Sequence, residues 1–538
     1  MIRDLNALAE SAFDVLVIGG GVVGACTARD AVLRGLSVAL VERDDFASGA
    51  SWNSLKTLHG GLRSLQHLDV ALMREYTRDR STWMRIAPHL VDLLPVVLPS
   101  AGYGTRCRAV LRAALAVSDG IAFDRNRSLP AELHLPSGRL LSRAECVTRA
   151  PALANVALTG GALWYDGQMY SPERLVTALV CDAADRGAVC ANYVEVTGPL
   201  LHGQRVARIV ARDRLGGGRL NIRARLIINA AGSASAALAA RLLGRPMNAS
   251  PRYAAALNVM IPHQGHSAAF ALRQTTRSRA QPAREGGTGD LFVVPWRDRT
   301  IIGTGYYTFR GDPTAFSLEE QQVVRFLEQV NRVWPGRPLT RDALTLVHGG
   351  LLPVSPHAEN GSIHLERRQR ILDHAAEGVP EMLTAVSVRF TTAHRLAERL
   401  VDLAARRLGR GANAGRAAHT RLPGAPDVPT EELLAQARAR FGVLAEPEVL
   451  HHLVRSYGTR YERVLKYRAH MDDWNVRVVP EAPVIRAQLA YGAGEEMAQQ
   501  PEDLLRRRTE IASRGLESPA ARRTAEAILR RYGSPPAP

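Results

Sequence analysis

A glycine triplet, Gly19-x-Gly21-x-x-Gly24, constrains this chain more tightly than any other feature, because it lies between an apolar run at 14–18 (DVLVI) and a helix-patterned stretch at 22–34. Gly35 can cap that helix, and residues 37–41 (SVALV) read as the next strand. Residues 13–43 therefore make a strand, a glycine turn, a helix and a second strand, which is a βαβ unit. The first glycine permits the tight turn, the second lets a pyrophosphate approach the backbone, and the third lets helix and strand pack closely. Phosphates would then sit at the positive end of the helix. Glu42 closes the second strand, where a carboxylate can accept hydrogen bonds from the adenosine ribose hydroxyls and disfavours a 2′-phosphate.

At 538 residues the chain is too long for one ordinary core, so two or three domains are expected. Hydrophobic residues make up 46% and charged residues 22%, a folded rather than a disordered composition. No apolar run approaches the ~18–20 residues that span a bilayer. The opening MIRDLNALAESAF has an acidic residue where a signal peptide carries positive charge, so a cytoplasmic location is expected. The five cysteines, Cys26, Cys107, Cys146, Cys181 and Cys190, are scattered and form no CxxC pair, which argues against a disulfide framework or a metal site. The net charge is +17, from 69 Lys+Arg against 52 Asp+Glu. These cations are dispersed and do not alternate with aromatic residues, so they read as a solvated Arg-rich surface and not as a nucleic-acid interface.

Further along, residues 67–98 read as helix up to Pro88 and then as a Pro-bounded apolar segment. A helix is expected near 172–186, with strands at 188–196, 205–212 and 225–232 and a glycine hairpin at 216–218. Residues 251–355 contain short alternating runs such as LFVVPW and TIIGTG, the pattern of a mostly antiparallel sheet. Residues 391–406 return to helix, 408–427 read as a linker, and the Arg/Glu/Ala/Leu-rich remainder reads as a separate helical domain.

The glycines alone do not separate NAD from FAD. Residues 45–66 (DFASGASWNSLKTLHGGLRSLQ) are polar and glycine-rich, suited to threading along an extended dinucleotide toward a flavin ring. The stretches DVLVIGGGVVGA (14–25), LKTLHGGLRSL (55–65), YDGQMYSPERLV (165–176), FTTAHRLAERL (390–400) and YGAGEEMAQQPEDLLRRRT (491–509) resemble those of the FAD-dependent glycerol-3-phosphate dehydrogenases, within the D-amino-acid-oxidase-like flavoproteins. The resemblance covers nearly the whole chain. It implies an α/β fold: a Rossmann-like FAD-binding domain (1–250 and 356–407, with substrate-domain segments inserted near 90–165), a β-rich substrate domain (251–355) and a helical C-terminal domain (425–538). It also implies FAD as cofactor, an anionic small-molecule substrate, quinone or dioxygen as electron acceptor, and peripheral contact with the inner face of the membrane. The C-terminal helices are read as a packed domain, with homodimerisation or membrane attachment as the other roles such helices serve.

Carried over residue by residue, the resemblance assigns Gly19, Gly21, Gly24, Glu42, Val194, Ala231 and Gly232 to the adenosine and pyrophosphate half of the cofactor. Ser51, Ser54, Lys56, His59, Gly60 and Gly61 fall in the segment running toward the flavin, although Leu55 stands where the family has serine. Arg389 is expected beside the N1–C2=O edge of the flavin with Thr391, where a cation meets the charge gained on reduction. Arg63 corresponds to the arginine that holds the substrate phosphate, and Arg341 to a second arginine near the substrate. The departures fall at the substrate end. The family's K-G-S-H is Ala255-Ala256-Leu257-Asn258, so the histidine proposed to abstract a proton is an asparagine. The family's S-G-V-R-P is Gly349-Gly350-Leu351-Leu352-Pro353, which replaces a phosphate-binding arginine by leucine. Ser64 replaces a tyrosine, Tyr306 an acidic residue, and Ser387 and Val388 two glycines. His348, His357 and His394 remain as candidate bases. Oxidation of sn-glycerol 3-phosphate or a related polyol phosphate is the first expectation. An amine or amino-acid oxidase, or a flavin-binding protein without turnover, is the alternative.

Overall fold

The computed structural model describes residues 1–202, 205–247, 250–274, 289–355, 363–411 and 415–533. The βαβ unit forms where the glycine pattern places it. Strand β1 (Ala12–Ile18) leads through the turn into helix α1 (Val22–Leu33), Gly35 adopts φ +82° behind it, and strand β2 (Val38–Val41) follows. β1 is central to a mostly parallel sheet: Val15 lies opposite Val38 on one side and Leu226 on the other. Both faces of β1 are covered, so its apolar residues are continuous rather than alternating. Helix α1 packs against Pro172–Asp185 and Ala393–Arg407, and this apolar layer is the largest core of the molecule.

The strand expected at 225–232 is longer than its apolar signature. It spans Arg219–Asn229; its first half pairs antiparallel with Arg205–Asp213, and its second half runs parallel to β1. The apolar segment after Pro88 is a strand, Val91–Ser100, and it joins the second sheet. That sheet has nine strands, five from 252–354 and four from Thr57–Leu58, Val91–Ser100, Arg139–Leu141 and Gly160–Met169. Its pairings are antiparallel except where Phe270 runs parallel to Val97. The short strand Thr57–Leu58 belongs to this second sheet, so the segment that leaves Glu42 passes from one sheet to the other.

Beyond 415 the chain is helical, with helices at Thr430–Phe441, Pro447–Tyr457, Arg486–Glu495 and Pro519–Tyr532 around two apolar cores. The linker expected at 408–427 is corrected in part. Residues 412–414 lie outside the described residues, but Ala417 and Leu422 are buried. Arg29, fully buried on α1, donates to the carbonyls of Ala417 (2.9 Å) and Thr420 (2.6 Å), and Leu422 N–H donates to Ile86 O at 2.8 Å. A buried guanidinium that satisfies two loop carbonyls holds this stretch against the first domain, a contact that composition does not reveal. Among the described residues no helix is long and apolar enough to cross a membrane.

Candidate active site

Where β1 ends, Gly19 takes φ +113°, and a Cβ there would lie 2.5 Å from Ala230 O. Gly24 is tighter still: its Cβ would lie 1.8 Å from Gly19 O. Gly21 is the N-cap of α1 and has no side-chain cap, while Val22 N–H donates to Ser51 Oγ at 2.9 Å. Glu42 accepts from Gly20 N (2.6 Å) and Asp44 N (2.9 Å), one to each carboxylate oxygen. Burial pushes its carboxyl above the ordinary range, and the Asp44 and Gly20 N–H groups oppose that shift. Each oxygen keeps lone-pair capacity, which suits ribose hydroxyls.

A cavity of about 560 Å³ joins this turn to the face of the second sheet. Gly19, Gly21, Glu42, Ser51, Ser54, His59, Val194, Ala231, Gly232, Arg389 and Thr391 line it, which brings together most of the cofactor residues expected from the sequence. Asn258, Thr304 and Leu352 line it from the second sheet, and Ser387 and Val388 from the first. Asn258 Oδ1 accepts from Thr304 Oγ1 at 2.8 Å, leaving the amide NH2 as its donor. Arg389 donates to the Tyr76 hydroxyl, and its guanidinium lies 5.3 Å from that ring.

Gly24, Lys56, Gly60, Gly61, Arg63 and Arg341 do not line the cavity. Gly24 acts from beneath the turn. Lys56 is fully buried; its Nζ donates to Trp52 O at 2.5 Å and faces Glu173 at 3.3 Å. Burial pushes its ammonium pKa down, and Glu173 pulls it back up. Gly60 and Gly61 permit close packing: a Cβ on Gly60 would lie 2.1 Å from Arg80 Nη1, and one on Gly61, at φ +81°, 2.8 Å from Tyr76 Cβ. Arg63 is exposed on the turn Leu62–His67. Arg341 is half exposed and binds Glu320 at 2.7 Å. Of the candidate bases, His348 and His394 are buried outside the lining, the latter against Trp83, and His357 lies outside the described residues.

Asp166 escaped the sequence reading as a functional residue, although YDGQMY carries it. Its buried carboxylate accepts from Gly60 N (2.7 Å) and Arg80 Nη1 (3.1 Å), and its other oxygen lies 3.5 Å from His59 Nδ1. Burial raises its pKa, but His59, Arg80 and the Gly60 N–H together bring it below the ordinary range. A histidine at the cavity wall with a carboxylate behind it is the arrangement of an oriented base. Its only sequence signal is the spacing of two motifs 107 residues apart, too far for any local pattern.

A glycine cradle that a Cβ would fill, a helix N-terminus and a buried carboxylate fit a dinucleotide, and the cavity of about 560 Å³ that continues from them to the second sheet leaves room for a flavin; together they fit a flavoprotein oxidoreductase. The family model described as FAD dependent oxidoreductase matches residues 14–403, and the C-terminal domain of alpha-glycerophosphate oxidase matches 415–534. A glycerol-3-phosphate dehydrogenase of Synechocystis sp. is 31% identical over 95% of this chain and 91% of its own length. The mitochondrial glycerol-3-phosphate dehydrogenase of Mus musculus is 30% identical over 93% of this chain and 67% of its own. The crystal structure of the glycerol-3-phosphate dehydrogenase from Bacillus halodurans, complexed with FAD, superposes with a TM-score of 0.72 at 21% identity, covering 98% of this chain and 96% of that one. The chain belongs to the FAD-dependent oxidoreductase family, among the glycerol-3-phosphate dehydrogenases.

Replacing Gly24 by alanine should push α1 off the turn, lowering stability by about 1–3 kcal/mol and FAD occupancy at least tenfold. Bound flavin absorbance and thermal unfolding measure both effects. Gly102→Ala, where nothing lies within 4 Å, should change neither.

Proposed function

We propose that this flavoenzyme oxidises the secondary alcohol of sn-glycerol 3-phosphate or a closely related polyol phosphate. The observation that carries the reading is His59 on the cavity wall with Asp166 behind it, in a chain whose relatives are named for that oxidation. Bound FAD supplies the two-electron acceptor for the carbinol hydride. His59 takes the hydroxyl proton at Nε2, because the Asp166 carboxylate beside Nδ1 fixes the tautomer that leaves Nε2 free to accept. Asn258 cannot act as a base; its NH2 donates a hydrogen bond to the substrate and so orients the carbinol. Arg389 places positive charge at the ring end of the cavity, favouring an anionic substrate and the charge that arrives with reduction. Glu42, Val194 and the glycine turn hold the adenosine and pyrophosphate half.

A second surface supports a membrane quinone as the electron acceptor. Helix Arg108–Ile121 packs on the turn Leu62–His67 and on helix Val70–Ile86. Around it Leu68, Tyr103 and Phe123 are 86%, 87% and 78% exposed, and Val110 and Val117 are exposed on the helix itself. The exposed arginines Arg108, Arg112 and Arg127 flank this apolar strip. Apolar side chains rimmed by cations suit the headgroup boundary of an anionic membrane, where a quinone can accept the electrons.

Anaerobic glycerol 3-phosphate should bleach the flavin while amino acids and amines leave it oxidised; the reverse pattern would assign the site to amine oxidation. His59→Asn should keep the flavin spectrum but lower kcat by about 10²–10⁴, and unchanged turnover would remove His59 from the reaction. The pair Tyr103→Ser and Phe123→Asp should cut co-sedimentation with phosphatidylglycerol vesicles several-fold while turnover with a soluble dye stays at the wild-type level.

A further inference from the structure

The stretch YGAGEEMAQQPEDLLRRRT (491–509) is the most distinctive part of the C-terminal domain, yet among the described residues nothing after Thr391 lines the cavity. Four of its charged side chains, Glu496, Asp503, Arg507 and Arg508, are nevertheless buried, and the last two bind Asp45. Arg508 binds the Asp45 carboxylate with both Nη atoms, at 2.8 and 2.9 Å, and Arg507 Nε donates to it at 2.6 Å. Asn192 Nδ2 donates to the same carboxylate at 2.8 Å and to Met497 O at 2.9 Å. Arg508 Nε donates to Glu496 O at 2.9 Å, and Asp503 accepts from Arg507 and from the Tyr193 hydroxyl. Burial raises the Asp45 carboxyl pKa, but Arg508 and Arg507 outweigh it and hold the group below the ordinary range.

Asp45 sits in the middle of the loop that makes the adenosine half of the site. Glu42 precedes it by three residues, and Ser48–Ser51, which line the cavity, follow. The loop's backbone bonds are Glu42 N–H to Ala191 O (3.0 Å), Val194 N–H to Glu42 O (2.7 Å), Tyr193 N–H to Asp44 O (2.9 Å), Ala47 N–H to Gly20 O (3.0 Å) and Ser48 N–H to Asp45 O (3.2 Å), and none of them ties the loop to the C-terminal domain. A fully buried ion cluster is a poor source of net stability, since desolvation offsets most of its attraction, but it fixes geometry well. We propose that Asp45, Arg507 and Arg508 form a clamp through which the C-terminal domain sets the affinity for FAD. Arg508 is a positioning residue: it holds the Asp45 loop, and the loop presents Glu42 to the ribose and Ser51 to the helix N-terminus. Coupling of this kind is reciprocal, so bound FAD tightens the docking of residues 503–509 in turn.

The inference rests on FAD occupying this cavity, and the wild-type protein tests that separately: protein that takes up no FAD refutes the flavin assignment itself. For the clamp, holoenzymes carrying Arg508→Lys or Asp45→Asn are diluted, and FAD release is followed by recovery of free-flavin fluorescence. Both should release FAD at least tenfold faster than wild type, with kcat at saturating FAD within twofold of wild type. Arg455→Gln breaks a different bridge from the C-terminal domain, to Asp92 at 2.6 Å, and should release FAD at the wild-type rate. Folded clamp variants that hold FAD like wild type would overturn the proposal. If neither variant folds, amide exchange of wild type with and without FAD decides it: loss of protection at 503–509 on FAD removal supports the clamp, and unchanged protection overturns it.

Discussion

How closely helix Val22–Leu33 approaches the turn before it sets the geometry of the cofactor site. The space at Gly24 is closed by the carbonyl of Gly19, which a Cβ would meet at 1.8 Å. That approach brings the helix N-terminus to the end of β1, within reach of Ser51, and lets Gly20 present its N–H to Glu42. Two strands then register in parallel on either side of β1, which places Ala230 and Ala231 across the turn from Glu42 and Val194. One steric allowance, the absence of a Cβ at Gly24, thus positions residues drawn from four separate parts of the chain.

The half of the cavity proposed to hold the substrate is organised differently. There the defining group is a carboxylate, Asp166, that serves Gly60, Arg80 and His59 together. Asp166 lies on Gly160–Met169, which pairs with Thr57–Leu58 just before His59, so sheet register fixes the distance between carboxylate and imidazole. Gly60 and Gly61 contribute by their lack of a side chain, since any Cβ would displace Arg80 or Tyr76.

This contrast explains what could be read from the amino-acid order. The βαβ unit, Glu42 and the helix at Pro172–Asp185 are local patterns, and they fold where periodicity and turn residues put them. The antiparallel character of 251–355 was legible for the same reason; the strands from 57–169 were not legible from local pattern, because a β-run does not state its sheet, and only the resemblance pointed to substrate-domain segments near 90–165. Ser54, Arg389 and Thr391, which the resemblance assigns to the cofactor, line the cavity, whereas Lys56, assigned with them, is sealed beneath it against Glu173. The Asp166–His59 pair and the docking of 415–422 onto Arg29 depend on contacts across long separations, and composition misread the latter as a free linker.

The electrostatics of the ring end separate binding from chemistry. Leu352 stands on the cavity wall in place of an arginine, and Arg341 is committed to Glu320 at the surface. Losing one charge-assisted contact to a phosphate costs roughly 1.5–3 kcal/mol, about 10- to 150-fold in affinity. Such a contact acts on a phosphate remote from the carbinol, so it stabilises ground state and transition state alike and appears in KM rather than kcat. In the proposed reaction His59, Asp166 and Arg389 serve the reacting end; His59 and Arg389 line the cavity, and Asp166 lies 3.5 Å from His59 Nδ1. Weak phosphate binding and competent hydride transfer are therefore compatible in one site, and on the proposed reading the residues at 258 and 352 bear on selectivity among polyol phosphates rather than on the transfer itself.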